Sequence, residues 1–147
     1  MKKRNSFKIW SFLSMFLIGG CSALSAEKVP YTISGKFLME EASSDYEICG
    51  AELEFFNWSE KAVISFTVVF YLFDADGEPA QECWNQLTFE IEKNIQAGGK
   101  YKICLSLDSY MSSIPQGVLS IDYLYVSKIC YSDGSVWDDP LGMAAFM

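Results

Sequence analysis

The chain has 147 residues, half of them hydrophobic and 16 % aromatic, which predicts one domain with a well-packed core. Its formal net charge is −8. The residues after the first twenty hold seven basic side chains against nineteen acidic ones, a net charge of −12. Such a charge repels nucleic acids and anionic lipid headgroups. The chain has no histidine, which excludes Ser-His and Cys-His catalytic pairs and removes the usual zinc ligand.

The N-terminus has the layout of an export signal. Basic residues in Met1–Lys8 precede the apolar stretch Ile9–Ile18, and two glycines follow it. This order predicts a signal peptide, in the form of a signal helix, over residues 1–20. Ten apolar residues at about 1.5 Å each cannot cross a hydrocarbon core of about 30 Å, which argues against an ordinary transmembrane helix.

The end of this segment, Leu17–Cys21, resembles the lipobox of bacterial lipoproteins. The resemblance implies a diacylglycerol group on the Cys21 sulfur, cleavage in front of Cys21, and N-acylation. Buried acyl chains would then hold an exported protein at an envelope membrane, inner or outer, with residues 21–30 as a short tether. The alternative is ordinary cleavage near Ala26, which would release the domain from the membrane.

The rest of the chain alternates β-patterned segments with turns. The longest segment is Ala62–Asp76, in which every second residue from Ala62 to Leu72 is apolar, a pattern that predicts a central strand with one buried face. The turn Asp74–Pro79 contains Asp-Gly, which favours a tight hairpin. In chain order, the other predicted strands are Tyr31–Met39, Cys49–Asn57, Leu87–Glu92, Tyr101–Leu107, Val118–Tyr131 and Ser135–Trp137.

About seven strands with no helix after the signal predict an all-β fold. We expect an antiparallel two-sheet sandwich of the immunoglobulin type over residues 31–140, followed by a patternless tail at 141–147. The alternative arrangement of the same strands is a closed barrel.

The segment Phe70–Asp74 (FYLFD) is similar to the Phe-x-Leu-Tyr-Asp signature of FxLYD domains, which occur on bacterial lipoproteins and envelope proteins. The resemblance extends from Phe55 to Trp137 and includes the turns that contain Asn57 and Gly134. It implies an immunoglobulin-like sandwich and carries no activity with it. Phe73 stands where the family has Tyr, so a contact made by that hydroxyl is missing here.

If Cys21 carries lipid, four cysteines remain, an even number that favours two disulfides in an exported chain. Three pairings are possible, and we prefer Cys104–Cys130 together with Cys49–Cys83. The alternative is free thiols, because cysteine packs well as a small hydrophobic residue. We do not expect a four-cysteine zinc site, because the chain has no Cys-x-x-Cys pair.

The acidic turn Asp74–Glu78 looks like the start of a calcium loop, but Pro79 and Asn85 stand where an EF-hand needs Gly and Glu. We therefore expect a solvated turn, and we expect no metal, cofactor or catalytic residue. Four aromatic residues fall at predicted turns or strand ends, where they would form a binding patch or cap the core: Trp58, Trp84, Tyr110 and Trp137.

The sequence thus favours a non-catalytic envelope lipoprotein whose β-domain contacts a protein partner. The alternative is a lipoprotein that binds or hydrolyses a small solute through acidic and aromatic loop residues. A deep cleft with two converging acids and a Trp would favour this alternative, whereas a filled core with convex ends would favour the contact module.

Overall fold

A computed structural model describes residues 28–39, 45–84 and 86–146 of the chain. The predicted signal peptide, Cys21 and Ala26 lie outside these ranges. Within them, no helix is long and apolar enough to cross a membrane. The described elements are a 3-10 turn, Asp108–Tyr110, and seven strands: β1 (Tyr31–Leu38), β2 (Gly50–Asn57), β3 (Val63–Phe73), β4 (Leu87–Ile95), β5 (Lys100–Ser106), β6 (Ser120–Tyr131) and β7 (Val136–Asp138).

These strands form two antiparallel sheets. The three-stranded sheet has the order β1-β2-β5, and the four-stranded sheet has the order β4-β3-β6-β7. The all-β class and the two-sheet arrangement predicted from the sequence are therefore confirmed. Each predicted strand is present with ends within three residues of those expected, because alternating burial is a strong local signal.

The core lies between the two sheets. Phe55 on β2 stacks on Phe66 on β3, with ring centroids 4.3 Å apart. The predicted inner face of β3 is buried from Phe66 through Val68 and Phe70 to Leu72. Full burial of each such side chain contributes about 1.5–3 kcal/mol, so β3 is the centre of the fold as its composition predicts.

The start of β3 departs from the predicted alternation. Val63 is fully buried and Ile64 is 46 % exposed, the reverse of the expectation. The cause is a β-bulge between Val63 and Ser65, where the pairing of β3 with both neighbours shifts by one residue. A shift of one residue turns each side chain to the other face of the sheet.

Asn57 joins the ends of both sheets. It is buried at the end of β2, and its Nδ2 donates to the carbonyls of Lys61 at 2.8 Å, Gln96 at 3.1 Å and Ile95 at 3.3 Å. Its Oδ1 accepts from the backbone N–H and the hydroxyl of Ser59. One amide thus ties the turn after β2 to the end of β4, where sequence analysis had predicted only a turn.

Asp108 holds the opposite end of the three-stranded sheet. Its carboxylate accepts the backbone N–H groups of Glu47, Ile48 and Cys49 at 2.7–2.9 Å. Burial tends to raise the pKa of Asp108, but these three bonds and the hydroxyl of Ser106 outweigh it and lower the pKa from 3.8 to about 2. The ionised carboxylate therefore fixes the chain as it enters β2.

Candidate functional site

The four aromatic residues predicted as a binding patch do not come together. Trp58 lies at the end of β2, and Trp137 packs edge-on against Tyr31 with ring centroids 5.5 Å apart. Trp84 and Tyr110 lie at the opposite end, in the connections that leave β3 and β5. The four residues therefore do not form one binding patch, because antiparallel strands carry successive turns to alternate ends of the sandwich. Tyr110 and Trp137 pack against the core, as the capping alternative expects.

The predicted Cys104–Cys130 pair cannot form in this fold. Cys104 aligns with Glu52 on the outer face of the three-stranded sheet, and Cys130 aligns with Ser65 on the outer face of the other sheet. Packed sheets lie about 10 Å apart, whereas a disulfide needs Cα atoms within about 7 Å. All four cysteines of the described residues are free thiols.

Cys49 and Cys83 lie against the same segment of chain. The Cys49 carbonyl accepts the N–H of Leu107, and Cys83 forms a β-bridge with Met111. The pKa of Cys49 is raised to about 11. The largest cause is burial, and the charge of Asp108 and the neighbouring Cys83 thiol add to it. Such a thiol is a poor nucleophile, and the Cys49–Cys83 disulfide stays a prediction.

The acidic turn after β3 is held together by the side chain of Asp74. Asp74 Oδ1 accepts the N–H groups of Asp76 and Glu78, each at 2.9 Å. Across the described ranges, no group of three acidic or cysteine side chains is placed to hold a metal ion.

The turn returns the chain only as far as Ala80, whose N–H donates to the Leu72 carbonyl, and β4 starts at Leu87. The predicted direct hairpin is therefore interrupted by a longer connection.

A cavity lies on the outer face of the four-stranded sheet, between β3, β6 and the C-terminal segment 139–146. Its volume is about 610 Å³. This value falls within the range of about 300–1,000 Å³ that is usual for ligand sites. We call it the aromatic groove, and its lining residues are Tyr71, Phe73, Gln86, Tyr123, Tyr125, Pro140, Leu141 and Phe146.

Tyr123 is the centre of the aromatic groove. Its ring meets those of Phe73, Phe146 and Tyr71 at centroid distances of 5.8, 5.9 and 6.0 Å. Its φ of +47° is left-handed, and it lies where the pairing of β3 and β6 shifts by one residue. Glycine is the usual residue for left-handed backbone at a bulge, and a bulky residue there costs about 1–3 kcal/mol. The strain keeps an aromatic ring, 53 % exposed, over the groove.

The C-terminal segment forms the second wall of the groove. Asp139 is buried, and its carboxylate accepts the N–H groups of Met143 and Ala144, each at 2.9 Å. This cap folds a segment that sequence analysis predicted to be a patternless tail. Residues 139–146 are therefore part of the domain surface.

Gly142 allows this wall to pass close to the sheet. Its φ is +69°, and a Cβ atom added there would lie 2.9 Å from the ring of Tyr125. The Tyr125 hydroxyl donates to the Pro140 carbonyl at 3.3 Å, which closes the contact between wall and sheet. A side chain at position 142 would push the wall away from the groove.

The polar groups of the groove are neutral. The hydroxyl of Tyr71 donates to Gln86 Oε1 at 3.3 Å. The pKa of Tyr125 is raised, mainly by burial and to a smaller extent by Tyr71 and the charge of Asp139. The Tyr125 hydroxyl therefore stays protonated at neutral pH. The lining residues include no carboxylate, amine or thiol. Such a surface can stack on rings, cover apolar groups and exchange hydrogen bonds.

Sequence analysis missed the groove, although part of the signal was present. Tyr71 and Phe73 belong to the outward-facing set of the central strand, and Tyr123 and Tyr125 are two residues apart in the predicted final strand. Aromatic residues on the solvent side of two strands are an indication of a contact surface. Phe146 gave no such indication, because the segment around it has no periodicity.

The fold and the groove define an all-β, two-sheet domain with an aromatic surface on one outer face. No family model matches the chain, and no curated protein matches it. A similar solved structure is the 1.85 Å X-ray structure of a hypothetical protein from Peptoclostridium difficile 630, with a TM-score of 0.59 and 15 % sequence identity. The match covers 82 % of this chain and 91 % of that one. At this identity, the similarity supports the fold alone.

Proposed function

We propose that the protein is an exported lipoprotein whose β-domain is a non-catalytic contact module, with the aromatic groove as its contact surface. The export and the lipid on Cys21 are supported by the signal layout and the lipobox-like residues before it. The observation that carries the contact role is Tyr123, whose backbone is strained and whose ring lies half-exposed in the middle of the groove.

The same proposal places the domain among immunoglobulin-like sandwiches. In support, β5 pairs with β2 and β6 pairs with β3, which are the long-range pairings that a Greek-key sandwich makes. The fourth strand pairs with β3, whereas in a constant-type immunoglobulin domain it pairs with the fifth strand.

The surroundings of the groove support a role in protein contact. Leu141, Met143 and Phe146 are 75 %, 60 % and 56 % exposed, and they continue the apolar surface along the C-terminal segment. Contiguous exposed apolar side chains mark interaction sites, and rigid aromatic rings supply most of the binding energy in many interfaces. The groove lining offers no acid and base to catalyse a reaction.

The tether limits where the partner can be. Six residues lie between the acylated Cys21 and Lys28, where the described chain begins, and the seven Cα-to-Cα steps span at most about 25 Å at about 3.5 Å each. The domain therefore stays close to the membrane surface. We accordingly place the partner in the envelope.

The experiment that tests this function is affinity purification from cross-linked envelopes. We expect the wild-type protein to recover a defined partner, Tyr123→Leu to lose it, and Phe56→Leu, on the outer face of the other sheet, to retain it. A Cys21→Ser variant should leave the membrane and recover less partner. Equal recovery by wild type and Tyr123→Leu would refute the groove as the contact surface.

Mass spectrometry of the mature protein tests the anchor separately. The proposal predicts an acylated N-terminal Cys21. An unmodified chain that starts at residue 27 would refute it.

A second candidate function is binding of a small solute in the same groove, which the volume of about 610 Å³ favours. The groove contains neither a Trp nor two converging acids, so this candidate is a binding role without hydrolysis. A small-molecule thermal screen tests it, since a ligand that binds only the folded state raises the melting temperature by an amount that grows with the logarithm of its concentration above the dissociation constant. Stabilisation that disappears in Tyr123→Leu would favour this candidate over the contact module.

A further inference from the structure

The outer face of the three-stranded sheet is balanced in charge. Lys36 and Lys102 both bind Glu52, at 3.2 and 2.9 Å, and Lys100 binds Glu54 at 2.7 Å. These pairs occupy neighbouring positions on β1, β2 and β5. The lysines of this face are therefore engaged within the domain.

The outer face of the four-stranded sheet is acidic. Strand alternation places four carboxylates and one lysine on it: Glu90, Glu92, Asp122, Asp138 and Lys128. Asp122 is the register partner of Tyr71, so it lies on the same face beside a residue that lines the groove, without lining the groove itself. The partner of this face should carry positive charge, because complementary potentials steer association and suppress wrong partners.

The groove also presents ring faces that bind cations. A Lys or Arg side chain within about 6 Å of a ring centroid is attracted to the ring face. The domain makes this contact elsewhere, with the ammonium groups of Lys93 and Lys61 5.1 and 5.6 Å from the rings of Tyr101 and Tyr131. No lysine or arginine lines the groove.

We infer that the aromatic groove binds a basic, extended peptide segment of a protein partner, with Lys or Arg side chains on the rings of Tyr123 and Tyr71. This inference rests on the proposed contact function and specifies its partner. A peptide fits better than a free cation, because Met143, which is 60 % exposed on the same C-terminal segment, adds apolar surface outside the groove lining. Nucleic acids and anionic lipids are repelled by the acidic face.

Calorimetric titration of the full mature chain with synthetic peptides tests the inference. The probes are a ten-residue Arg-Gly repeat, Glu-Gly and Pro-Gly repeats of the same length, and free arginine amide. We expect the Arg-Gly repeat to bind most tightly and to weaken at high salt. Tyr123→Phe should keep the affinity within about twofold, whereas Tyr123→Leu should lower it about fivefold or more, because leucine has the apolar area without the ring face.

The remaining outcomes separate this inference from the contact function. Tighter binding of the Pro-Gly or Glu-Gly repeat, lost in Tyr123→Leu, would overturn the basic-peptide assignment and leave the groove as the contact surface. If Tyr123→Leu binds the Arg-Gly repeat as tightly as the wild type does, the attraction is by charge alone. This result would also overturn the basic-peptide assignment. Arginine amide that binds as tightly as the repeat would overturn the peptide assignment in favour of a small cation. If no probe binds while Tyr123→Leu still abolishes recovery of the envelope partner, the inference fails and the contact function stands.

Discussion

The two outer faces of this sandwich-like fold are built in opposite ways. On the three-stranded sheet, lysine and glutamate side chains from adjacent strands bind one another across the surface. On the four-stranded sheet, aromatic rings surround a residue with left-handed backbone, and a C-terminal segment forms a wall beside them. The charged side chains of the first face bind one another within the domain. The second face holds exposed aromatic rings around a residue with strained backbone.

This difference indicates what each face is for. Exposed ion pairs contribute little to stability and keep a sheet surface soluble. A strained tyrosine lowers stability and persists where its side chain has a use, since stability and binding often make opposite demands on one residue. Substitutions can test whether the two faces share one scaffold and differ in binding.

The shared scaffold should fail as a unit when Asn57 is removed. Asn57→Ala leaves the buried carbonyls of Lys61, Ile95 and Gln96 without their donor, and we expect a loss of about 3 kcal/mol in the free energy of unfolding. Urea unfolding followed by tryptophan fluorescence measures this loss. Ser59→Ala is the control with a smaller loss, and a cost below about 1 kcal/mol for Asn57→Ala would contradict the role assigned to its amide.

Gly142→Ala should damage one face alone. Left-handed backbone costs a residue with a Cβ about 1–2 kcal/mol, and the added Cβ would also meet the Tyr125 ring. Gly134→Ala is the matched control, because Gly134 has φ +83° with open space around it. We expect Gly142→Ala to lose more stability than Gly134→Ala, and only Gly142→Ala to weaken binding to the Arg-Gly repeat. Equal binding by the two variants would show that the wall does not shape the groove.

Tyr123→Gly should separate stability from binding. Glycine relieves the left-handed strain, which offsets the lost ring contacts, so we expect the unfolding free energy to stay within about 1 kcal/mol of wild type. Thr88→Gly, at an exposed strand position on the same face, provides the comparison and should lose about 1 kcal/mol. Peptide binding should disappear only in Tyr123→Gly. A large loss of stability in this variant would mean that the ring serves folding.

Lowering the pH should loosen the start of β2. The folded pKa of Asp108, about 2, lies below its ordinary 3.8, so the unfolded chain binds the proton first and stability falls as the pH drops from about 4 to about 2. The effect is moderate, because Asp108 is only partly buried. Urea titrations at several pH values measure it. Asp108→Asn should be less stable at pH 6 and should have a flatter profile between pH 4 and 2, and an unchanged profile would contradict this account.

The smallest effect is expected on the face with paired charges. Glu52→Gln removes the partner of Lys36 and Lys102, both of them exposed, and should leave the urea midpoint and the Arg-Gly affinity unchanged. Weaker binding by this variant would show that the two faces are not independent.

The strands were predictable because their information is local. The alternation of apolar and polar residues along β2 and β4 follows directly from which side chains face the core. The bulge at Val63 was not predictable, because Ile64 continues the apolar pattern and only the pairing with neighbouring strands reverses its face. Cys104 and Cys130 were paired wrongly because a sequence does not show which sheet each strand joins.

The groove depends on more distant contacts still. The left-handed Tyr123 arises from the register between β3 and β6, and tyrosine gives no local sign of that backbone. The wall depends on the capping of Met143 and Ala144 by Asp139, in a segment without periodicity. Sequence analysis considered four aromatic residues at turns and strand ends as a binding patch or as caps of the core, and it did not identify the outer face of the four-stranded sheet as a contact surface.

The central claim is that the outer face of the four-stranded sheet is the contact surface in the cell. Photo-cross-linking from a benzoylphenylalanine residue tests it directly, with the probe placed at Leu141 in one strain and at Lys36 in another. The account predicts a discrete cross-linked partner from position 141 and none from position 36. The same product from both positions, or a product from position 36 alone, would contradict it.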